Sequence, residues 1–369
     1  MSGDIDRIQG ELRRFADREA AGISPLYSHL ADEAAADRDV AALLTAADAQ
    51  DAKPTLLLAV AHRLLQADPV HPLSRYYPSL GGTDGVDADT WPVVREFLLE
   101  RADRARELVA HRFTQTNEVA RAASLYPALT RVATAAGSRV ALLEPGCSAG
   151  LLLGLDSFSY RYQCEGGEQL TAGPAKARLG LHCALETAMG AEPPSIAGKL
   201  SVGARIGLDR APVDLRNEDE LAWLEACVWA DQPERIQRLR MAATLQTKNP
   251  PELVRGDIVE DLAATAARLP TGLPLVVMTS HVLEYLDAQR RVDFVAELRR
   301  LAAQRDLWWV SEGSYEATLE QLLPGRDELR SDRDTGYATL GVTRWINDEP
   351  EVTPLARTAP HGQRMRWLP

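Results

Sequence analysis

The densest group of chemically useful residues is the stretch Glu144-Pro145-Gly146-Cys147-Ser148-Ala149-Gly150. An acid followed by small residues lets the backbone come close to a ligand, while the carboxylate can accept from hydroxyls or an amine. Three patterns compete for it. The dinucleotide fingerprint G-x-G-x-x-G fails, because Ser148 stands at its second glycine and Leu151 at its third. The nucleophile elbow G-x-S-x-G fits letter for letter, with Ser148 as the nucleophile. An acid followed by glycines at alternate positions, E-x-G-x-G-x-G, is met by Glu144, Gly146 and Gly150, with Ser148 at the middle glycine.

Other candidates sit at the ends of apolar runs. Ser280, His281 and Glu284 follow Leu273 to Thr279, where His281 suits a general base and Glu284 or Glu312 suits its partner. A satisfied structural histidine at a helix start is the competing reading. Asp209 closes the run Val202 to Leu208 and is placed either to bind a ribose or to shape a turn. Asp257 follows Gly256 and suits either a ligand contact or a helix N-cap. Gln115-Thr116-Asn117-Glu118, with Arg121, reads as a capped helix start or as a segment that lays Asn117, Glu118 and Arg121 over a substrate.

These residues need a scaffold, and the periodicity supplies one. Val140 to Leu143 is a short uncharged apolar run, as expected of a strand buried on both faces. The small-residue loop follows, and Leu151 to Leu155 reads as the first turns of a helix. Further strands are predicted over Val202 to Leu208, over the short stretch after Pro251, and over Leu273 to Thr279, Leu307 to Ser311, Tyr337 to Ile346 and Gln363 to Leu368. Tyr160 to Gln163 and Ala177 to Leu185 alternate like the two arms of an inserted β-hairpin, which occupies about 157–200. Asp293 to Ala303 is an amphipathic helix. Strands alternating with helices imply a mostly parallel α/β sheet over 137–369.

Upstream, 1–136 reads as an all-helical domain. Ile5, Ile8, Leu12 and Phe15 form a buried stripe. Trp91 to His111 reads as one long helix, and His71 to Ser79 as an ordered loop. Trp223, Cys227 and Trp229 are assigned to packing.

Through QTNEVAR, EPGCSAGL, GLDRAPVDL and WLEACVWADQPER the sequence resembles a large bacterial family, domain-of-unknown-function family 2332. The glycine loop resembles the first motif of class I S-adenosylmethionine-dependent methyltransferases. That second resemblance implies a Rossmann-like methyltransferase-type sheet closed by an antiparallel pair. It also implies S-adenosylmethionine as cofactor, held by Glu144, Gly146, Ser148, Gly150, Asp209, Asp257 and Ser280, with Asp257 near the adenine amino group. Methyl transfer to a small molecule then needs alignment and a base, for which His281 and Glu284 are the candidates. The competing functions are a serine hydrolase using Ser148, with Asp257 and His361 completing the order, and a non-catalytic ligand-binding module.

Composition narrows the partners. In 369 residues, 45% are hydrophobic and 25% charged, ordinary for a globular enzyme, and the net charge of −12 disfavours nucleic acid. No apolar run is long enough to span a bilayer, so no membrane partner is expected. Cys147, Cys164, Cys183 and Cys227 form no C-x-x-C pair, so neither a zinc site nor any other metal site is expected. The polar N-terminus lacks a signal core, and a reducing cytoplasm is the expected location.

Overall fold

A continuous apolar strand can be buried on both faces only if helices or other layers cover the sheet. Val140–Pro145 (β1) is buried at every position, and Leu275–Ser280 (β7) at all but the last. The computed structural model describes residues 2–137, 139–196, 200–330 and 337–369. The chain is mixed α/β with many helices and one large, mostly parallel sheet. It divides into two compact units, Met1–Asn117 with Asp214–Leu239, and Glu118–Val213 with Arg240–Pro369.

Among the described residues the first unit contains no strand. Pro25 starts the helix Pro25–Ala36, and the Ser24 hydroxyl accepts from the Tyr27 N–H. The helix Pro54–Gln66 buries Leu56, Leu57, Leu58, Val60 and Leu65 and runs through the core of this unit. The single helix expected over Trp91 to His111 is two, Thr90–Glu100 and Ala102–His111. The break is at Arg101, whose guanidinium lies 4.2 Å over the Phe97 ring and pairs with Asp68 at 2.9 Å. The stretch His71 to Ser79 contains two short 3-10 turns, Pro72–Tyr76 and Pro78–Leu80, and buries both Tyr76 and Tyr77. Trp223 is buried in the same core, with Trp229 edge-to-face against Phe15 and tilted against Tyr27.

All the described strands lie in the second unit. After β1 come Ser159–Cys164 (β2), Gln169–Ala172 (β3), Gly180–Thr187 (β4), Val202–Asp209 (β5) and Glu252–Arg255 (β6). Beyond β7 are Leu307–Gly313 (β8), Ala338–Ile346 (β9), Glu349–Thr358 (β10) and Arg364–Trp367 (β11). The spatial order is β3-β2-β4-β11-β10-β9-β8-β7-β1-β5-β6. From β6 to β8 every neighbour is parallel, with Leu142 beside Arg205 on one side and Val276 on the other. β9 then runs antiparallel to β8, and β10 antiparallel to β9.

The helix Ala288–Ala302 covers this sheet with Phe294, Val295, Leu298 and Leu301. Phe294 meets Trp309 edge-to-face at 5.9 Å, and the Trp309 indole N–H donates to the Thr279 hydroxyl at 3.0 Å. Each such fully buried side chain contributes about 1.5–3 kcal/mol.

Three further expectations are corrected. The inserted hairpin is β2 with β3, whereas the stretch Ala177 to Leu185 becomes β4, which lies parallel to β2 and to β11 and so joins the insertion to the main sheet. The antiparallel pair beside β8 is β9 with β10, and β10 was not foreseen. Leu151–Ser157 is a 3-10 helix, locked by a bidentate pair between Arg205 and Asp156 at 2.9 Å.

Candidate functional site

Strand order reverses beside β1. After β1 the chain forms β2, β3 and β4 at the far edge, comes back to one flank of β1 as β5 and β6, then crosses to the other flank as β7 and continues to β8. Ligands of open parallel sheets bind where the carboxyl ends of such strands diverge. Glu144, Asp209 and Ser280 lie at these ends, with Ser148 and His281 just beyond them.

At the end of β1 the chain enters the glycine loop with Gly146 at φ 75°, Ser148 at 50° and Gly150 at 67°. A side chain at Gly146 would place its Cβ 2.3 Å from Val282, so only glycine allows this loop to lie against the end of β7. Asp209, at the end of β5, holds the loop: one carboxylate oxygen accepts the Ser148 N–H and the other the Ala211 N–H, each at 2.8 Å. The Gln246 amide donates to the Ala149 carbonyl. A carboxylate oxygen has two acceptor sites, so Asp209 retains capacity for a ligand hydroxyl.

Glu144 is 4% exposed, and its Oε2 is buried without a hydrogen-bond partner. Burial, and secondarily the charge of Asp209, pushes its carboxyl well above the usual carboxylate range. Burial likewise pushes the Cys147 thiol up, reinforced by Glu144 and Asp209, which keeps it an unreactive thiol.

The end of β7 carries the second group. His281 has φ 58°, and its N–H donates to the Glu312 carbonyl at 2.7 Å. Its Nδ1 lies 3.2 Å from Glu284 Oε1, while its Nε2 is buried and unpartnered. Burial acts to raise the Glu284 carboxyl, but His281, the Ser314 N–H at 2.8 Å and the charge of Arg121 hold it below its ordinary range. The Ser280 hydroxyl donates to Glu312 at 3.0 Å, and the Ser124 hydroxyl to the other oxygen of Glu312 at 2.6 Å.

Glu118 and Arg121 belong to the 3-10 turn at Val119–Arg121, where the Glu118 side chain caps the Ala120 N–H at 3.0 Å. Arg121 is buried, and its Nε donates to the Pro360 carbonyl at 2.8 Å. Burial lowers its pKa, opposed by the carboxylates of Glu312, Glu118 and Glu284. His361 Nδ1 lies 3.7 Å from Glu118 Oε2.

Residues assigned from sequence to separate roles thus share one cluster: Glu118, Arg121, Ser280, His281 and Glu284. Glu312 is its buried centre, and Ser124 was missed because nothing in its local spacing marks it. Asn117 is the last residue of the first unit. Asp257 accepts from the Val259 and Glu260 N–H groups and pairs with Arg290, which offsets the burial that would raise its pKa and leaves it lowered. Gly207 was also missed. A Cβ there would lie 2.5 Å from Cys147 Sγ, so this position on β5 lets the loop close down.

Residues 9–367 match the family described as "Uncharacterized protein conserved in bacteria (DUF2332)". The chain belongs to DUF2332. The matched span includes the glycine loop and every residue of the cluster, so the site is part of the DUF2332 region. No curated protein matches the chain. Among the described residues no group of three or more His, Cys, Asp or Glu is arranged to hold a metal ion, and no helix is long and apolar enough to cross a membrane.

Proposed function

We propose that this DUF2332 protein is an S-adenosylmethionine-dependent methyltransferase acting on a small molecule. One observation carries the reading: two buried, unpartnered polar atoms, Glu144 Oε2 and His281 Nε2, stand at the carboxyl ends of β1 and β7, the strands flanking the reversal of strand order. Buried polar groups without partners are uncommon and call for a specific cause, and a ligand at the strand ends provides one. The strand order also favours the methyltransferase class over a dinucleotide fold. After the five parallel strands β6, β5, β1, β7 and β8 comes the antiparallel β9, where a dinucleotide-binding sheet continues parallel.

In this reading Glu144 receives a donor group of the cofactor, the loop from Gly146 to Gly150 gives it close backbone approach, and Asp209 fixes the loop. When bound, the cofactor supplies an electrophilic methyl group. Glu284 orients His281 through Nδ1, leaving Nε2 to take the proton from an acceptor hydroxyl or amine. The donors of a long helix N-terminus are not part of the site, because Leu151–Ser157 is a 3-10 segment.

Equilibrium dialysis with labelled S-adenosylmethionine tests the reading. Retention that is displaced by S-adenosylhomocysteine and not by NAD supports it. Absence of retention at millimolar ligand overturns it.

The serine hydrolase reading keeps one supporting observation, the positive φ of Ser148 on a turn after a strand. Its other members hold separate partners: Asp257 pairs with Arg290, and His361 faces Glu118. Labelling by a fluorophosphonate probe that disappears in Ser148→Ala would establish it.

A further inference from the structure

The polar cluster beside β7 and β8 has an uneven distribution of used and unused hydrogen-bonding groups. Glu312 is 1% exposed, and both its oxygens are taken by the hydroxyls of Ser124 and Ser280. Glu118 Oε1 is taken by the Ala120 N–H. Glu284 Oε1 accepts from the Ser314 N–H and faces His281. Two groups are left over. Arg121 is 8% exposed, and its Nε donates to the Pro360 carbonyl, while among the described residues the N–H groups of its two terminal nitrogens have no acceptor. Glu284 Oε2 accepts from no donor among the described residues, on a side chain that is 38% exposed.

Each obvious small ligand answers only half of this arrangement. A plain carboxylate would pair with the planar fork of Arg121, which suits two parallel hydrogen bonds. It would also enter a region where Glu118, Glu284 and Glu312 all act on Arg121, and three carboxylates around one guanidinium repel a second anion. A plain amine would be drawn to Glu284 and would leave the terminal N–H groups of Arg121 without an acceptor among the described residues. A molecule carrying both charges satisfies both groups.

We propose that the acceptor bound at this cluster is a small zwitterion of the amino acid class, its carboxylate paired with Arg121 and its ammonium group with Glu284 Oε2. The word acceptor rests on the methyltransferase reading; the recognition of the zwitterion does not. Arg121 and Glu284 would then set specificity, and His281, hydrogen-bonded to Glu284, would stand beside the bound amine.

Ligand-observed NMR on the full chain tests this, using glycine, the proteinogenic L-amino acids, propionate and propylamine as probes, each with and without S-adenosylhomocysteine. The expected result is saturable binding of at least one amino acid, with propionate and propylamine each at least about tenfold weaker. Arg121→Met and, on the more exposed side chain, Glu284→Gln should each weaken the amino acid by about tenfold or more. Propionate binding as tightly as any amino acid overturns the proposal. So does a protein that binds S-adenosylhomocysteine and no amino acid, or amino acid binding unchanged in a folded Glu284→Gln. Amino acid binding without any S-adenosylhomocysteine binding would uphold the zwitterion site and overturn the methyltransferase reading.

Discussion

Replacing Glu144 by Gln should remove the pH dependence that this one buried carboxyl imposes on stability. Burial first, and Asp209 second, raise its pKa well above the ordinary 4.5. A carboxyl raised on folding holds its proton more tightly in the folded chain than in the unfolded one. Between the two pKa values the folded state therefore carries more protons, and stability falls as pH rises. The window opens near 4.5, the unfolded value, and extends up to the folded value. Within it one proton contributes a slope approaching about 1.4 kcal/mol per pH unit. Gln preserves the shape of the side chain and cannot ionise. The Glu144→Gln protein should thus match the parent near the bottom of the window and exceed it increasingly at higher pH. In a large domain each kcal/mol moves the midpoint by about 2–4 °C, so the gap should widen by several degrees as pH rises above 4.5 through the window. Thermal unfolding of both proteins at intervals from pH 5 to 8 measures it. A gap that stays constant, or that closes as pH rises, would refute the argument that Glu144 is folded as a neutral acid.

Three further outcomes follow from the same geometry. Asp209→Ala removes the acceptor of the Ser148 and Ala211 N–H groups, each bond to the charged carboxylate being worth about 1.5–3 kcal/mol, and hydrogen exchange should accelerate in the glycine loop; unchanged protection there would show that Asp209 does not hold it. Gly207→Ala drives a Cβ to within 2.5 Å of Cys147 Sγ and 2.7 Å of Leu253, and overpacking of about 1–3 kcal/mol should lower the unfolding midpoint; an unaltered midpoint would contradict the close approach of loop and strand. His281→Ala should lower the rate of S-adenosylhomocysteine release in turnover by about 10²–10⁴-fold while leaving the affinity for S-adenosylhomocysteine unchanged, and full turnover in the variant would remove His281 from proton transfer.

Legibility in the sequence tracked how local each feature is. The runs that became β1 and β7 were readable because strands buried on both faces need apolar residues at successive positions. β10 was hidden by Pro350 and Pro354, which argue against a strand. The sheet tolerates them because β11 pairs only with Ala356 to Thr358, so both prolines lie on a part of β10 with no partner on that side, and the register shifts between Pro354 and Ala356. β3 is four residues between glycine-rich segments, too short to show periodicity. The break at Arg101 carries no Gly or Pro, and the Arg101 side chain there pairs with Asp68, a contact that local spacing does not show.

At the site, residue types were informative and their grouping was not. Glu118 and Arg121 were recognisable as candidates within one short motif, and His281 with Glu284 within another. Their meeting around Glu312, with Ser124 and Ser280 as donors, depends on segments far apart in the chain. Asp257 shows the opposite case. Its local reading as a cap describes the bonds it makes, to the Val259 and Glu260 N–H groups.

Isothermal titration of the full chain with S-adenosylhomocysteine, repeated on Glu144→Ala and on Gly150→Ala after circular dichroism has shown each variant to be folded, decides whether the glycine loop holds the cofactor. Saturable heat is expected with the parent protein, lost or weakened by at least about tenfold in both variants. No heat with the parent, or undiminished binding in both variants, would contradict it.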